Sequence, residues 1–287
     1  MDKEDNVLVL LKQLHQKLGR RPTKWDDSRL YCLSRKHFGT WNKMMEAAGY
    51  PVHWKQEAII PSEVTPEFAY FMGIVITDGH VQDSKKKNGQ DYCCVQLSTS
   101  YPAEVKVLTK LSQSLFNYKP LVREKLYSYN VRINHELHIS SKLLVKYLES
   151  LGIPSGNKSF RVRIPKCIIN GTNELKFSFL RGIIDGDGAI KIPDGQIAIG
   201  SRSYTFLEDV TEIYKSLNIK PGKICQDRNG FLLRVSNQSA IKEIYQKCYK
   251  NSIFYYPRKF KRLRQAIKKR DLSTQIRTGN LSGSAIP

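Results

Sequence analysis

The chain has 287 residues, 40% of them hydrophobic and 25% charged, and its 47 Lys and Arg against 26 Asp and Glu give a formal net charge of +21. That length exceeds an ordinary single domain and the apolar content can fill real cores, which excludes a disordered polyelectrolyte and points to two or three folded units. So large a positive surplus calls for a polyanion as partner; a membrane is disfavoured because no run approaches the roughly 18 apolar residues of a span, and six cysteines without CxxC pairing exclude a zinc framework and read as reduced, mostly buried hydrophobes.

The start, Met1-Asp2-Lys3-Glu4-Asp5, carries acids and is no signal peptide, so an intracellular protein is expected. Val7, Leu8, Leu10, Leu11, Leu14 and Leu18 recur at helical spacing up to Gly19, giving one amphipathic helix. A second segment opens at Arg20-Arg21-Pro22-Thr23-Lys24-Trp25-Asp26, with a capping residue after the proline. A third, short helix starts at Thr40 and ends at Gly49. Residues 1–52 are therefore set apart as a helical unit, and the proline-bearing stretch 53–65 as a linker.

Two nine-residue segments share one pattern: Phe71-Met72-Gly73-Ile74-Val75-Ile76-Thr77-Asp78-Gly79 and Leu180-Arg181-Gly182-Ile183-Ile184-Asp185-Gly186-Asp187-Gly188. Each is an apolar helical run ending in Asp-Gly. Gly73 and Thr77 in one, and Gly182 and Gly186 in the other, fall on a single helix face, so that a partner helix can approach backbone to backbone. Gly79 and Gly188 suit the left-handed residue that closes a helix. Asp78 and Asp187 stand at the negative end of the helix dipole and repel each other if they meet, a conflict that a divalent cation resolves.

The order of elements after each segment repeats. After the first come a strand around Tyr92 to Ser100, with Cys93 and Cys94 facing opposite ways, a helix from Pro102 to Phe116, a hairpin through Leu121 to Asn134, a further strand at Glu136 to Ser140 and a helix from Lys142 to Leu151. After the second come a hairpin around Pro193-Asp194-Gly195, a helix from Tyr204 to Leu217, a hairpin across Arg228-Asn229-Gly230 and a helix from Ser239 to Tyr249. The fold class is α+β: two pseudo-symmetric α-β-β-α-β-β-α units forming a saddle of antiparallel sheets, residues 66–157 and 175–270, joined by 158–174. Arg258 to Arg270 is dense in Lys and Arg and should continue a helix along phosphates, and 271–287 reads as a flexible tail.

Both segments resemble the signature helix of LAGLIDADG homing endonucleases, and the resemblance extends over roughly Ser62 to Arg264. The second copy fits almost letter for letter; the first departs at Ile76 and Thr77 and keeps Asp78. The N-terminal Arg-Arg-Pro-Thr stretch and the run from Phe38-Gly39-Thr40-Trp41-Asn42 to Ala47-Ala48-Gly49-Tyr50 resemble the helical repeat attached to such enzymes, which implies an accessory DNA-binding module. The resemblance implies a metal-dependent endonuclease that cuts both strands of a long, specific duplex site and leaves short 3′ overhangs. In that reading Asp78 and Asp187 hold metal, with the carbonyls of Thr77 and Gly186 as further ligands. Lys158 and Lys259 match the lysine of the family's end-of-domain pattern, and Thr99 and Ser201 stand where a water-positioning side chain belongs.

Phosphodiester hydrolysis needs a positioned water, charge neutralisation and help for the leaving oxygen, which cations held by carboxylates supply. Mg²⁺ suits two protein carboxylates; Mn²⁺ is expected to substitute, and Ca²⁺ to bind without supporting efficient cleavage. A two-stranded ribbon fits the major groove, and the outward strand positions offer Gln96, Ser98, Ser100, Arg123, Lys125, Arg132 and Asn134 in the first half. The second half offers Lys191, Gln196, Ser201, Arg202, Gln226, Arg228 and Arg234. The expected partner is double-stranded DNA bound by a monomer, with intron RNA as a further candidate. The Met1 start and the Ala285-Ile286-Pro287 end set the expectation of a free-standing or intron-encoded protein rather than an intein. The alternative is a non-cleaving nucleic-acid-binding protein on the same scaffold, an intron RNA maturase or a transcription regulator.

Overall fold

A computed structural model describes residues 3–50, 57–85, 91–126, 133–192 and 195–277. Arg132 lies outside the described residues, as do Pro193 and Asp194 of the expected turn and residues 278–287 of the expected tail. The chain divides into two units, Met1–Gln56 and Glu57–Pro287.

The first unit holds three helices, α1 (Lys3–Leu18), α2 (Ser28–Phe38) and α3 (Trp41–Ala47). Gly19, at φ +61°, ends α1 in the left-handed conformation that glycine adopts without strain. Thr23 is not the cap of α2. Asp26 takes the N–H of Thr23 at 2.7 Å and pairs with Arg20 at 2.7 Å, and Asp27 caps the helix by accepting from Leu30 N–H at 2.8 Å. Val7, Leu11, Leu30, Met44 and Met45 form a small core of their own, while Leu10 of the expected apolar face is exposed.

In the second unit the same series of elements runs twice. The first series is α4 (Pro66–Thr77), β1 (Gly79–Lys85), β2 (Asp91–Thr99), α5 (Pro102–Phe116), β3 (Leu121–Leu126), β4 (Ile133–Ile139) and α6 (Lys142–Ser150). A short α7 (Lys166–Ile169) stands in the connection. The second series is α8 (Asn173–Gly186), β5 (Gly188–Ile190), β6 (Ile197–Ser201), α9 (Tyr204–Ser216), β7 (Cys225–Asp227), β8 (Gly230–Val235) and α10 (Gln238–Ile244), followed by a π-helical turn, Tyr245–Tyr249, and then α11 (Pro257–Arg277). The antiparallel sheets have matching orders, β1-β2-β4-β3 and β5-β6-β8-β7. No helix among the described residues is long and apolar enough to cross a membrane.

Several expectations need correction. The hairpin and the further strand expected over 121–140 are one pair, because β4 runs unbroken from Ile133 to Ile139. The expected helix 239–249 becomes a π turn after Ile244. Part of the expected linker packs on the body, with Ala58 buried and Ile59 N–H donating to the Phe116 carbonyl at 2.9 Å. Helix α11 continues past Asp271 to Arg277. Cys93 and Cys94 do alternate along β2, yet both are buried, Cys94 being covered by His138 across the sheet with Sγ 3.7 Å from Nδ1. Cys32 and Cys225 are exposed.

The two signature helices begin alike: Thr65 accepts from Phe68 N–H and Thr172 from Leu175 N–H, with Glu67 and Glu174 in the first turns, where an acid suits the dipole. They pack on each other through their small residues. A Cβ on Gly73 would lie 2.6 Å from the Phe179 carbonyl oxygen and 2.9 Å from Gly182 Cα, and one on Gly186 would strike the Thr77 side chain. This is the backbone contact that the glycine spacing predicted. The closing glycines do something different from what was expected. Gly79 and Gly188 are not left-handed; each starts a strand so close to the last turn of its helix that a Cβ on Gly79 would lie 2.6 Å from Val75 Cα and one on Gly188 2.7 Å from Ile184 Cα.

Candidate active site

Asp78 and Asp187 are the C-cap residues of α4 and α8, each with its N–H bonded four residues back, to the Ile74 and Ile183 carbonyls. Since the helices touch at Gly73 and Gly182, their C-terminal ends converge. A methyl group at Gly186 would sit 3.4 Å from Asp78 Oδ2, across the helix boundary. Burial raises the Asp78 carboxyl to about 7, and the Asp187 charge adds to the effect against the opposing Lys259. Burial also raises Asp187, with Lys158 and then Lys259 opposing.

In the folded protein without metal, ionising Asp78 is therefore unfavourable, whereas in the unfolded chain it ionises near 4. The stability contributed by this group is whole below pH 4 and is lost as pH rises through about 7. Asp78→Asn is accordingly expected to leave the melting temperature in chelator unchanged near pH 4 and to raise it near pH 8. A lower melting temperature at pH 8 would contradict the charge conflict.

Each lysine caps the helix of its own half. Lys158 Nζ donates to the Val75 carbonyl and, at 2.5 Å, to the Gly79 carbonyl. Lys259 Nζ donates to the Gly186 carbonyl at 3.2 Å and to that of Gly188. The Gly186 carbonyl, expected as a metal ligand, thus already has one donor. Burial lowers Lys158 to about 8, and the acid that most opposes this is Asp187, of the other half. Lys259 is lowered by burial and then by Arg258, with Asp185 and Asp78 opposing. A cavity of about 250 Å³ is lined by Thr77, Lys158, Asp187, Ser201, Arg202 and Phe206, so one acid sits with the lysine of the opposite half. A larger groove of about 790 Å³, between α9 and the 218–224 loop, contains none of these residues.

Asp185, an aspartate at the sixth place of the second signature, is a buried hub. Its oxygens accept the Tyr70 hydroxyl at 2.9 Å, the Tyr249 hydroxyl at 2.8 Å and the Tyr256 N–H at 2.7 Å. Burial raises it to about 6 despite these bonds. Through Tyr256 it fixes the start of α11, on which Lys259 lies. Arg181 is buried nearby against the Tyr70 ring and donates to the Cys248 carbonyl at 2.7 Å. Glu104 carries no motif, since in the sequence it reads as an ordinary acid in the first turn of a helix.

The strand register sorts the expected DNA-facing residues. Gln96 opposes His138, and Arg123 and Ser98 both oppose Glu136, so Gln96, Ser98, Arg123 and Lys125 share one face with Asn134. Lys125 pairs with Glu136 at 2.7 Å, and Ser100 is exposed just past β2. In the second sheet Arg234 opposes Ala198, and Lys191 and Gln196 continue that face, with Gln196 bonded to Ser236 at 2.7 Å. Ser201 and Gln226 fall on the opposite parity, opposing Phe231; with strands this short, the phase was misjudged by one. Ser201 accepts from Ser203 N–H at 3.1 Å, the Arg202 guanidinium lies 5.7 Å from the Phe160 ring, and Arg228 sits at φ +41° in the β7–β8 turn.

Among the described residues no group of three or more His, Cys, Asp or Glu is arranged to hold a metal. A cation held between the helix ends would have the two carboxylates, backbone carbonyls and water as donors, a set that suits a hard divalent ion. The Asp187 charge, which helps to raise Asp78, is a conflict that such an ion would relieve.

Two families match the chain: a homing endonuclease associated repeat over residues 3–51 and a LAGLIDADG-like domain over residues 65–152 and 174–249. The homing endonuclease I-DmoI, in complex with DNA and Ca, is similar with a TM-score of 0.55 at 20% identity, over 68% of this chain and 96% of that one. The homing endonuclease I-WcaI, bound to its DNA recognition sequence, is similar with a TM-score of 0.51 at 12% identity, over 71% of this chain and 88% of that one. At these identities the likeness is one of fold. Among curated proteins, the glutamine–fructose-6-phosphate aminotransferase of Methanocaldococcus jannaschii is 26% identical over 55% of this chain, which spans only 13% of that protein's length.

Proposed function

The chain belongs to the LAGLIDADG-like family, and from that premise we propose that it is a homing endonuclease, a site-specific enzyme that hydrolyses both strands of duplex DNA with a divalent metal, Mg²⁺ foremost. The observation that carries this reading is the pair of aspartates, each at the end of a signature helix, beside the half-buried Lys158 and the buried Lys259. Nucleic-acid binding alone does not call for two acids, which would repel phosphate.

Asp78 and Asp187 would hold the metal, with the Thr77 and Gly186 carbonyls as further donors. When bound, the cation supplies charge neutralisation at the phosphate and an activated water. Lys158 and Lys259, held by the helix-end carbonyls, place positive charge where the phosphate gains negative charge. At each scissile bond the water oxygen bonds to phosphorus as the bond to the 3′ oxygen breaks, leaving a 5′ phosphate and a 3′ hydroxyl. One acid per half would give one centre per strand, and the family resemblance implies short 3′ overhangs. The sheet faces carrying Gln96, Ser98, Arg123 and Lys125, and Lys191, Gln196 and Arg234, would lie in the major groove, and the N-terminal unit would add contacts outside it.

The test is selection from a randomised duplex library. Double-strand cuts at one recovered sequence in Mg²⁺ and in Mn²⁺, with binding but little cutting in Ca²⁺ and no cutting in chelator, are expected. Tight duplex or RNA binding with no cutting in any metal would replace this reading with a non-cleaving one.

A further inference from the structure

The two halves place different residues at matching positions around their acids. Thr99 ends β2 and Ser201 ends β6; five residues on stand Glu104, in the first turn of α5, and Phe206, in the first turn of α9. The residue before each lysine is Asn157 in one half and Arg258 in the other, and three before stand Ser155 and Tyr256.

Around Asp78 these choices build a polar network. The Asp78 carbonyl accepts the Ser98 N–H at 3.3 Å, which brings Thr99 alongside. Glu104 is 2% exposed; its Oε2 accepts the Thr99 hydroxyl, and its Oε1 accepts the Arg258 Nε–H at 3.3 Å. The Arg258 guanidinium lies 4.1 Å from the Tyr101 ring centroid. The Tyr256 hydroxyl, fully buried, has no hydrogen-bond partner among the described residues. Beyond burial, it feels the charges of Asp78, then Glu104 and Asp185, against that of Arg258. A buried hydroxyl left unpaired is unfavourable unless a water completes it, and a carboxylate beside it supplies that water's second contact. At the matching place near Asp187, Phe206 lines the cavity and offers no polar atom.

We propose that Glu104, Thr99 and the Tyr256 hydroxyl hold an ordered water at the Asp78 centre that has no counterpart at the Asp187 centre, so that the two strands of one duplex are cut at different rates. The proposal rests on the reading of the protein as a nuclease. Glu104 is a positioning residue: it orients the Thr99 hydroxyl and, through Arg258, the neighbouring Lys259.

The test uses the duplex recovered from the library, carrying a different dye at each 5′ end, cut in Mg²⁺ with enzyme in excess. Glu104→Gln is expected to slow one strand roughly ten- to hundredfold, the scale of misplacing a reacting group by about an ångström, while the other stays within about twofold. Tyr256→Phe should slow the same strand, and Ser201→Ala the opposite one. Slowing of both strands alike by Glu104→Gln, as a general loss of fold would give, or no change in either strand, overturns the inference and leaves the nuclease reading standing. Failure of the wild type to cut either strand overturns that reading, and the inference with it.

Discussion

Asp187→Asn is expected to abolish double-strand cleavage, the rate on its strand falling about a thousandfold or more, because the metal-held carboxylate supplies several kcal/mol of transition-state stabilisation and each 1.4 kcal/mol is a factor of ten. Asparagine keeps the shape of the side chain and its oxygen, so the C-cap geometry of α8 survives and the loss reports charge. Residual activity should appear as a nick in the strand served by Asp78. Strand-resolved gels of labelled duplex separate the cases: a variant that still makes double-strand breaks at near wild-type rate would remove Asp187 from the metal site. Affinity for the duplex in Ca²⁺ or chelator should hold or rise, since a negative charge beside phosphate has been removed.

The second large effect is on folding. Gly182→Ala adds a methyl that meets Gly73 Cα at 2.9 Å and Ile74 N at 3.1 Å, and these are backbone atoms that cannot rotate away. The α4–α8 pair must spread, which is expected to destabilise the protein by about 2–4 kcal/mol and to lower its melting temperature by roughly 5–15 °C. Gly200→Ala is the matched control, because its new methyl would find only ordinary contacts at 3.8 Å and beyond. Equal melting temperatures for the two variants would mean that the helices have room the glycines do not explain.

Much of this architecture was legible in the chain. The Gly73/Thr77 and Gly182/Gly186 spacing announced two helices meeting along small residues, and the repeated strand and helix signals marked the second sheet and the first sheet apart from β1, which no strand signal covered, since period and capping are local properties. The closing glycines suited a left-handed helix end in the sequence, and the structure uses them otherwise. Left-handed geometry is the usual local use of a C-terminal glycine, whereas the steric demand at Gly79 and Gly188 arises from the last helical turn, at Val75 and Ile184.

What escaped was everything that depends on distant partners. Asp185 could not be distinguished from a variable surface acid until Tyr70, Tyr249 and the Tyr256 N–H converged on it from three other parts of the chain. Glu104 gained its meaning only from Arg258, on α11 of the other half. Gln226 and Ser201 were put on the wrong face because strands as short as Cys225–Asp227 carry too little alternation to fix their phase.

The contact between Gly73 and Gly182 also acts as a ruler. Asp78 and Asp187 cap the ends of the two helices, so the helix-to-helix distance sets how far apart their carboxylates stand, and in the proposed nuclease that spacing would govern the stagger of the two cuts. Side chains on the sheets would then change which sequence is bound without altering the stagger. Two positions with no side chain, Gly73 and Gly182, would set the overhang, and a variant that pried the helices apart is expected to change the stagger of the break as well as its rate.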